Sequence, residues 1–187
     1  MGEILSNENE VGFLPHEVHF VLNAVHRATE ALSDANKEYG EAVASSGGDW
    51  AFDDPASQIA AVEAHMKEKH LQTMIKLSRQ IEDRGEIPYP DPNEQTATYG
   101  SRVHTVEDDG YTEIFDLATH HIPGMSSEDN VTIVTPSSPM AKNLYGAKAG
   151  ETISWTAPSG NEFKATISKV DQLAVKARFD RIIGSAE

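Results

Sequence analysis

The chain contains no cysteine, which excludes disulfides, thiolate nucleophiles and cysteine-ligated zinc. It is short of basic residues, with 15 Lys and Arg against 30 Asp and Glu and a formal charge of −15. Binding to DNA or RNA draws on Lys and Arg that neutralise phosphates, so direct nucleic-acid binding is not expected. A basic surface on another protein suits this charge better. No stretch approaches about 18 consecutive apolar residues, so no membrane span is expected. The opening MGEILSNENEVG lacks the basic start and apolar run of a signal peptide, which makes a cytoplasmic location the expectation. There is no GxSxG, P-loop or GxGxxG motif. Eight histidines are scattered without an HExxH pattern. They read as surface and seam residues, with His120 and His121 in a solvated loop.

The 187 residues suffice for one ordinary domain or two small ones. Residues 1–12 are polar and read as a flexible start. From Leu14 apolar positions recur at Val18, Val21, Val25, Ala28, Leu32, Ala35, Tyr39 and Ala42. Steps alternating between four and three are the seam of a coiled coil. Pro15 suits the first turn of that helix. A second run, Ile59, Val62, Met66, His70, Met74, Leu77 and Ile81, helped by Leu71, predicts a second helix. Asp53 or Asp54 can cap it, with Pro55 in its first turn. Each helix would be about 30 residues and 45 Å long, and the short connection makes them an antiparallel hairpin over 13–85.

Three prolines within residues 88–92 then predict a stiff linker over 86–98 and a domain boundary. From Tyr99 the period changes to two. Strands are expected at 102–106, 111–117, 130–135, 152–156 and 162–169, separated by EDDG, HHIPGMSSED and APSG turns. A short helix interrupts them, with Ser138 as cap, Pro139 at its first position and Gly146 as its stop. The fold class is therefore α+β, a helical hairpin followed by a small antiparallel sheet with one short helix over 99–170. Residues 171–187 are left as a tail or a short helix.

The hairpin turns at residues 47–55, GGDWAFDDP. Asp49, Asp53 and Asp54 cluster there, far along a rod from any core. Clustered carboxylates are ligands for a hard cation such as Mg²⁺, although too few for a closed site. They also suit a capped turn at a helix N-terminus. Both readings stand on composition alone.

The stretch VTIVTPSSPMAKNLYGAKAGETISWTAPSGNEFKATISKV (131–170) resembles the C-terminal domain of the Gre family of bacterial transcript-cleavage factors. Ser138-Pro139-Met140 to Leu144, Gly146, Gly150-Glu151, Pro158 and Gly160 follow that family's pattern. TYGSRVHTVEDDGYTEIFDL (98–117) is similar to its opening hairpin. The resemblance implies a coiled coil joined to an FKBP-like domain. It implies that RNA polymerase is the partner and that the coiled coil enters the secondary channel, with Ser138, Pro139, Leu144 and Gly146 among the partner-binding residues. Asp49, Asp53 and Asp54 would then assist the polymerase's own cleavage of backtracked RNA. Asp49 and Asp53 would share a Mg²⁺ with its active site, and no cofactor would be bound stably. The protein would not itself be an enzyme, and a hairpin that satisfies its own seam suggests a monomer.

Where the family tip carries a glutamate, this chain has Phe52 beside Trp50. That pair would either wedge against the partner or plug the hairpin end. A second reading follows, a non-cleaving regulator that occupies the channel. A third, a peptidyl-prolyl isomerase or chaperone, follows from the FKBP-like fold. It would need an aromatic pocket, for which Phe115, Tyr145, Trp155 and Phe163 are few and better suited to a core.

Overall fold

A computed structural model of the chain describes residues 11–45, 54–125, 130–156, 160 and 162–184. The chain divides into two compact units: Val18–Asp83, and a second built from Met1–Glu17 with Arg84–Glu187.

Two helices, α1 (Pro15–Ser45) and α2 (Pro55–Arg84), make up the first unit apart from their root turns. Residues 46–54 join them, and a nine-residue link reaches at most about 30 Å. A parallel return along a helix of about 45 Å is thus impossible, and the pair must be antiparallel. On α1 the expected seam is the buried one. Val21, Ala24, Ala28 and Ala35 are buried, and Val18, Val25, Leu32, Tyr39 and Ala42 are half-buried.

The expected seam of α2 holds only toward its C-terminal end, where Met74 is fully buried and Leu77 and Ile81 half-buried. Ile59, Val62, Met66 and His70 are exposed instead. The inward positions of that half are Ser57, Ala60, Ala61, Ala64, Lys67 and Leu71. Steps of three and four fit either face. The bulkier side chains pointed to the wrong one, because small residues can line a close helix contact with little side-chain volume to accommodate.

The second unit is a five-stranded sheet in the order β3-β2-β1-β5-β4. Its strands are β1 (Arg102–Glu107), β2 (Thr112–Leu117), β3 (Val131–Val134), β4 (Thr152–Thr156) and β5 (Glu162–Asp171). All five lie within a residue or two of the expected spans. The sheet is not wholly antiparallel, however, because β2 and β3 pair in parallel, from Ile114 opposite Val131 to Leu117 opposite Val134. Residues 118–130 are long enough for the crossover that parallel pairing needs. The sequence reading treated that segment as a hairpin turn.

Alternate residues of β1, β2, β4 and β5 project to one side and form the core. Val103, Phe115, Leu117, Ile153 and Ile167 meet Tyr99, Val134, Ala141 and Leu144 there. The short helix α3 (Pro139–Leu144) closes over this side. Ser138 caps it by accepting the Met140 N–H at 3.2 Å, and Pro139 occupies its first turn. Gly146 follows at φ 82°, a left-handed conformation that favours glycine. A second helix, α4 (Ala174–Gly184), occupies most of the region left open as a tail.

Two expectations about boundaries change. The proline-rich stretch is not a free linker, because Ile87 N–H donates to Phe13 O at 2.8 Å and Ala97 N–H to Ala147 O at 2.8 Å. Gln172 Nε2 donates to the carbonyls of Glu94 and Thr96. Prolines keep the segment extended, while its remaining backbone groups find partners on the domain. The flexible start also ends earlier than residue 12. Val11 belongs to the core, and Gly12 lies so close that an added Cβ would stand 2.8 Å from Ile87 Cγ2.

Candidate functional site

The residues singled out for chemistry lie on the hairpin loop. Asp49, Trp50, Phe52 and Asp53 fall outside the described residues. Asp54 is described and is the cap of α2. Its Oδ2 accepts the Ser57 backbone N–H at 3.1 Å and the Ser57 hydroxyl at 3.2 Å, while its carbonyl accepts Gln58 N–H. An aspartate just before a proline at the first helical position satisfies orphan N–H groups there and suits the helix dipole. One oxygen of Asp54 is therefore engaged in the turn. Among the described residues, no three His, Asp or Glu side chains are grouped to hold a metal ion.

Of the four residues assigned to the partner face, Leu144 is corrected. It is fully buried in the core, so it cannot meet a partner. Of the other three, Pro139 and Gly146 are exposed and Ser138 is half-buried by its capping role. The aromatic set does not line a pocket. Phe115 is buried, Tyr145 packs on Tyr99 with ring centroids 4.8 Å apart, and Trp155 stacks on Phe163 at 5.4 Å.

The root of α1 holds a cluster that sequence reasoning passed over. Glu17, in the first turn, is fully buried. It reaches back to accept the Leu14 N–H at 2.9 Å, the return arm of a capping box. It also accepts the backbone N–H of Thr119 at 2.9 Å and of His120 at 3.3 Å, and a short bond from the Thr119 hydroxyl. Burial alone would raise its pKa. The His120 and Thr119 hydrogen bonds, nearby His16 and the Leu14 N–H more than offset that, and the carboxyl is held below its ordinary value.

His120 is buried, not solvated as expected. Its ring stacks on Phe13 at 3.6 Å, and the two planes lie within 3° of parallel. Arg84 Nη1 lies 3.1 Å from its Nε2. A guanidinium can only donate, so Nε2 accepts, which assigns the ring proton to Nδ1, 2.9 Å from Thr119 Oγ1. A relay of donors thus runs from His120 through the Thr119 hydroxyl to Glu17.

Beside it, Asp116 holds Arg102 through two bonds of 2.7 and 2.9 Å, and Arg178 of α4 stands 3.7 Å away. His16 bonds the Tyr89 hydroxyl at 3.0 Å. Desolvation lowers the pKa of His16 against the pull of Glu17 and Asp116, with Arg178 adding to the lowering. Burial pushes Tyr89 up to about 12. The cluster has no reactive nucleophile. It fastens the first turn of α1 and residues 84–90 to the sheet unit. A glutamate three residues after Leu14, at the start of a predicted helix, was the available sequence signal.

Residues 92–172 match the family described as "Transcription elongation factor, GreA/GreB, C-term". The matched stretch includes all five strands and α3. The chain carries a Gre-family C-terminal domain.

The chain is also similar to the transcription elongation factor GreA of Mycolicibacterium smegmatis, 36% identical over 66 residues. That alignment covers 35% of this chain and 39% of the relative. Among solved structures, the transcription factor Gfh1 superposes with a TM-score of 0.38 at 18% identity, over 86% of this chain and 97% of Gfh1. The GreA factor homolog 1 of Thermus thermophilus gives 0.37 at 19%, over 86% and 98%. The helical pair lies outside the matched family residues.

No helix among the described residues is long and apolar enough to cross a membrane.

Proposed function

We propose that this protein is an RNA polymerase-binding elongation factor whose helical hairpin enters the polymerase secondary channel. The observation that carries this reading is a Gre-type domain in one chain with two paired helices of about 30 residues. A rod of about 45 Å has no use as a core element of so small a protein, but it can carry its loop to a site that a globular domain cannot enter. The protein then acts by changing the catalysis of its partner.

In the first form of the proposal, the loop carboxylates Asp49, Asp53 and Asp54 assist cleavage of backtracked RNA. A Mg²⁺ held jointly with the polymerase would supply Lewis-acid and water-activating chemistry. Asp54 retains one carboxylate oxygen outside its cap, so Asp49 and Asp53 would carry most of that role. In the second form, the hairpin occupies the channel and slows elongation without cleavage. Phe52, standing where a glutamate would be needed, favours this form, with Trp50 as a bulky neighbour.

Polymerase stalled in a backtracked complex and mixed with the protein and Mg²⁺ tests both. Shortened RNA that can be re-extended, lost in Asp49→Ala with binding intact, is the result expected of the first form. Tight binding and slowed elongation without shortening would eliminate it in favour of the second. Absence of any binding to polymerase would overturn the whole reading.

A further inference from the structure

The loop-proximal half of α2 carries its bulky apolar side chains mostly away from its inward side. Ser57, Ala64 and Leu71 lie on the inward side. At about 100° per residue, Ile59, Val62 and Met66 lie on the opposite side. They are 61%, 61% and 66% exposed. Their spacing of three and four aligns them into one stripe about 10 Å long, which starts one turn after Pro55. Single exposed apolar residues are ordinary, whereas three in register on one helix face are the pattern of a helix that docks.

Two observations bear on what covers the stripe. A second copy would bring −15 against −15, and that repulsion opposes self-association. The three side chains also offer only on the order of 300 Å², against about 800 Å² per partner in a stable association. The stripe is therefore too small to hold a dimer, and is sized to be one part of a larger footprint. Its helix suits a protein wall, because α2 carries five basic and four acidic residues, where α1 carries two and five. Of the two long helices, the near-neutral one carries the outward apolar face, so little charge would need to be desolvated on contact.

We propose that Ile59, Val62 and Met66 form a docking stripe that seats the hairpin against an apolar strip on the wall of the polymerase channel. This rests on the polymerase-binding reading above. The stripe positions the loop and takes no part in chemistry.

The test compares the full-length protein with Ile59→Gln/Val62→Gln/Met66→Gln, titrating each against core RNA polymerase and following thermal melting and sedimentation. The expected result is binding weakened on the order of tenfold. Melting should be unchanged, both proteins should be monomeric, and a control with Val62→Ile and Met66→Leu should bind like the original. Equal binding by the triple variant, with the unsubstituted protein bound, overturns the stripe alone. A dimer of the unsubstituted protein that the triple variant dissolves assigns the stripe to a second copy and also overturns it. Failure of the unsubstituted protein to bind polymerase removes both the stripe proposal and the functional reading beneath it.

Discussion

The root of α1 and the loop-proximal half of α2 invert the usual distribution of polar and apolar side chains in opposite senses. At the root a glutamate and two histidines are buried, and at the far half an isoleucine, a valine and a methionine are in water. Buried polar groups survive only when satisfied, and Glu17 meets that condition with three backbone N–H donors and a hydroxyl. The contrast separates two kinds of constraint. Polar burial fixes one geometry, since few other arrangements satisfy all the donors. Apolar exposure fixes none within the chain and leaves a surface for something else.

Removing the root carboxylate should have the largest effect. Glu17→Ala strands the N–H groups of Leu14, Thr119 and His120, and is expected to cost about 3 kcal/mol of unfolding free energy. Urea titration followed by circular dichroism measures it. A loss under 1 kcal/mol would mean that the cluster is wetter and looser than its distances imply.

The helix itself offers a matched pair. Met74 is fully buried and Met66 is 66% exposed, eight positions apart on α2. Met74→Ala should lower stability by about 2 kcal/mol or more, and Met66→Ala by less than about 0.5 kcal/mol. Similar losses at both sites would place the inward face of α2 elsewhere.

The pH dependence should be the mildest effect, and both root groups act in the same direction. His16 has its folded pKa lowered, so the unfolded chain binds more protons just below the ordinary 6.5 and stability falls as pH drops through that value. Glu17 is also lowered, so its contribution is complete above the ordinary 4.5 and is lost as pH falls through its folded value. Denaturant midpoints measured from pH 8 to pH 3 should therefore decline in two steps. Glu17→Gln should shrink the lower step, to which the lowered Asp171 and Glu94 also contribute, and spare the upper.

Local signals were read correctly where one rule had one outcome. Pro15 and Pro55 mark helix starts, Ser138-Pro139 a capped short helix, and the alternation in 102–106 and 152–156 two strands, because each depends on neighbours in sequence. The α1 seam is legible for the same reason, its alternate faces being too polar to compete. On α2 two faces share the same spacing, and only the partner helix decides between them. His120 looked solvated because its stacking partner Phe13 is more than a hundred positions away. The parallel β2–β3 pairing was hidden in the same way, since a long turn and a crossover look alike until the strands are seen side by side.

The sequence by itself thus determined the excess of acid, the absence of thiols, two long helices and a strand-rich domain that resembles the Gre-type C-terminal domain. Those properties are sums over residues or patterns within a few turns of chain. Tertiary structure alone decided that the proline-rich segment belongs to the domain and that Glu17 is buried and satisfied. It also decided that the bulky apolar stripe of α2 faces outward. Each depends on groups far apart in the chain competing for the same contact, and such competition is resolved by packing and hydrogen-bond satisfaction.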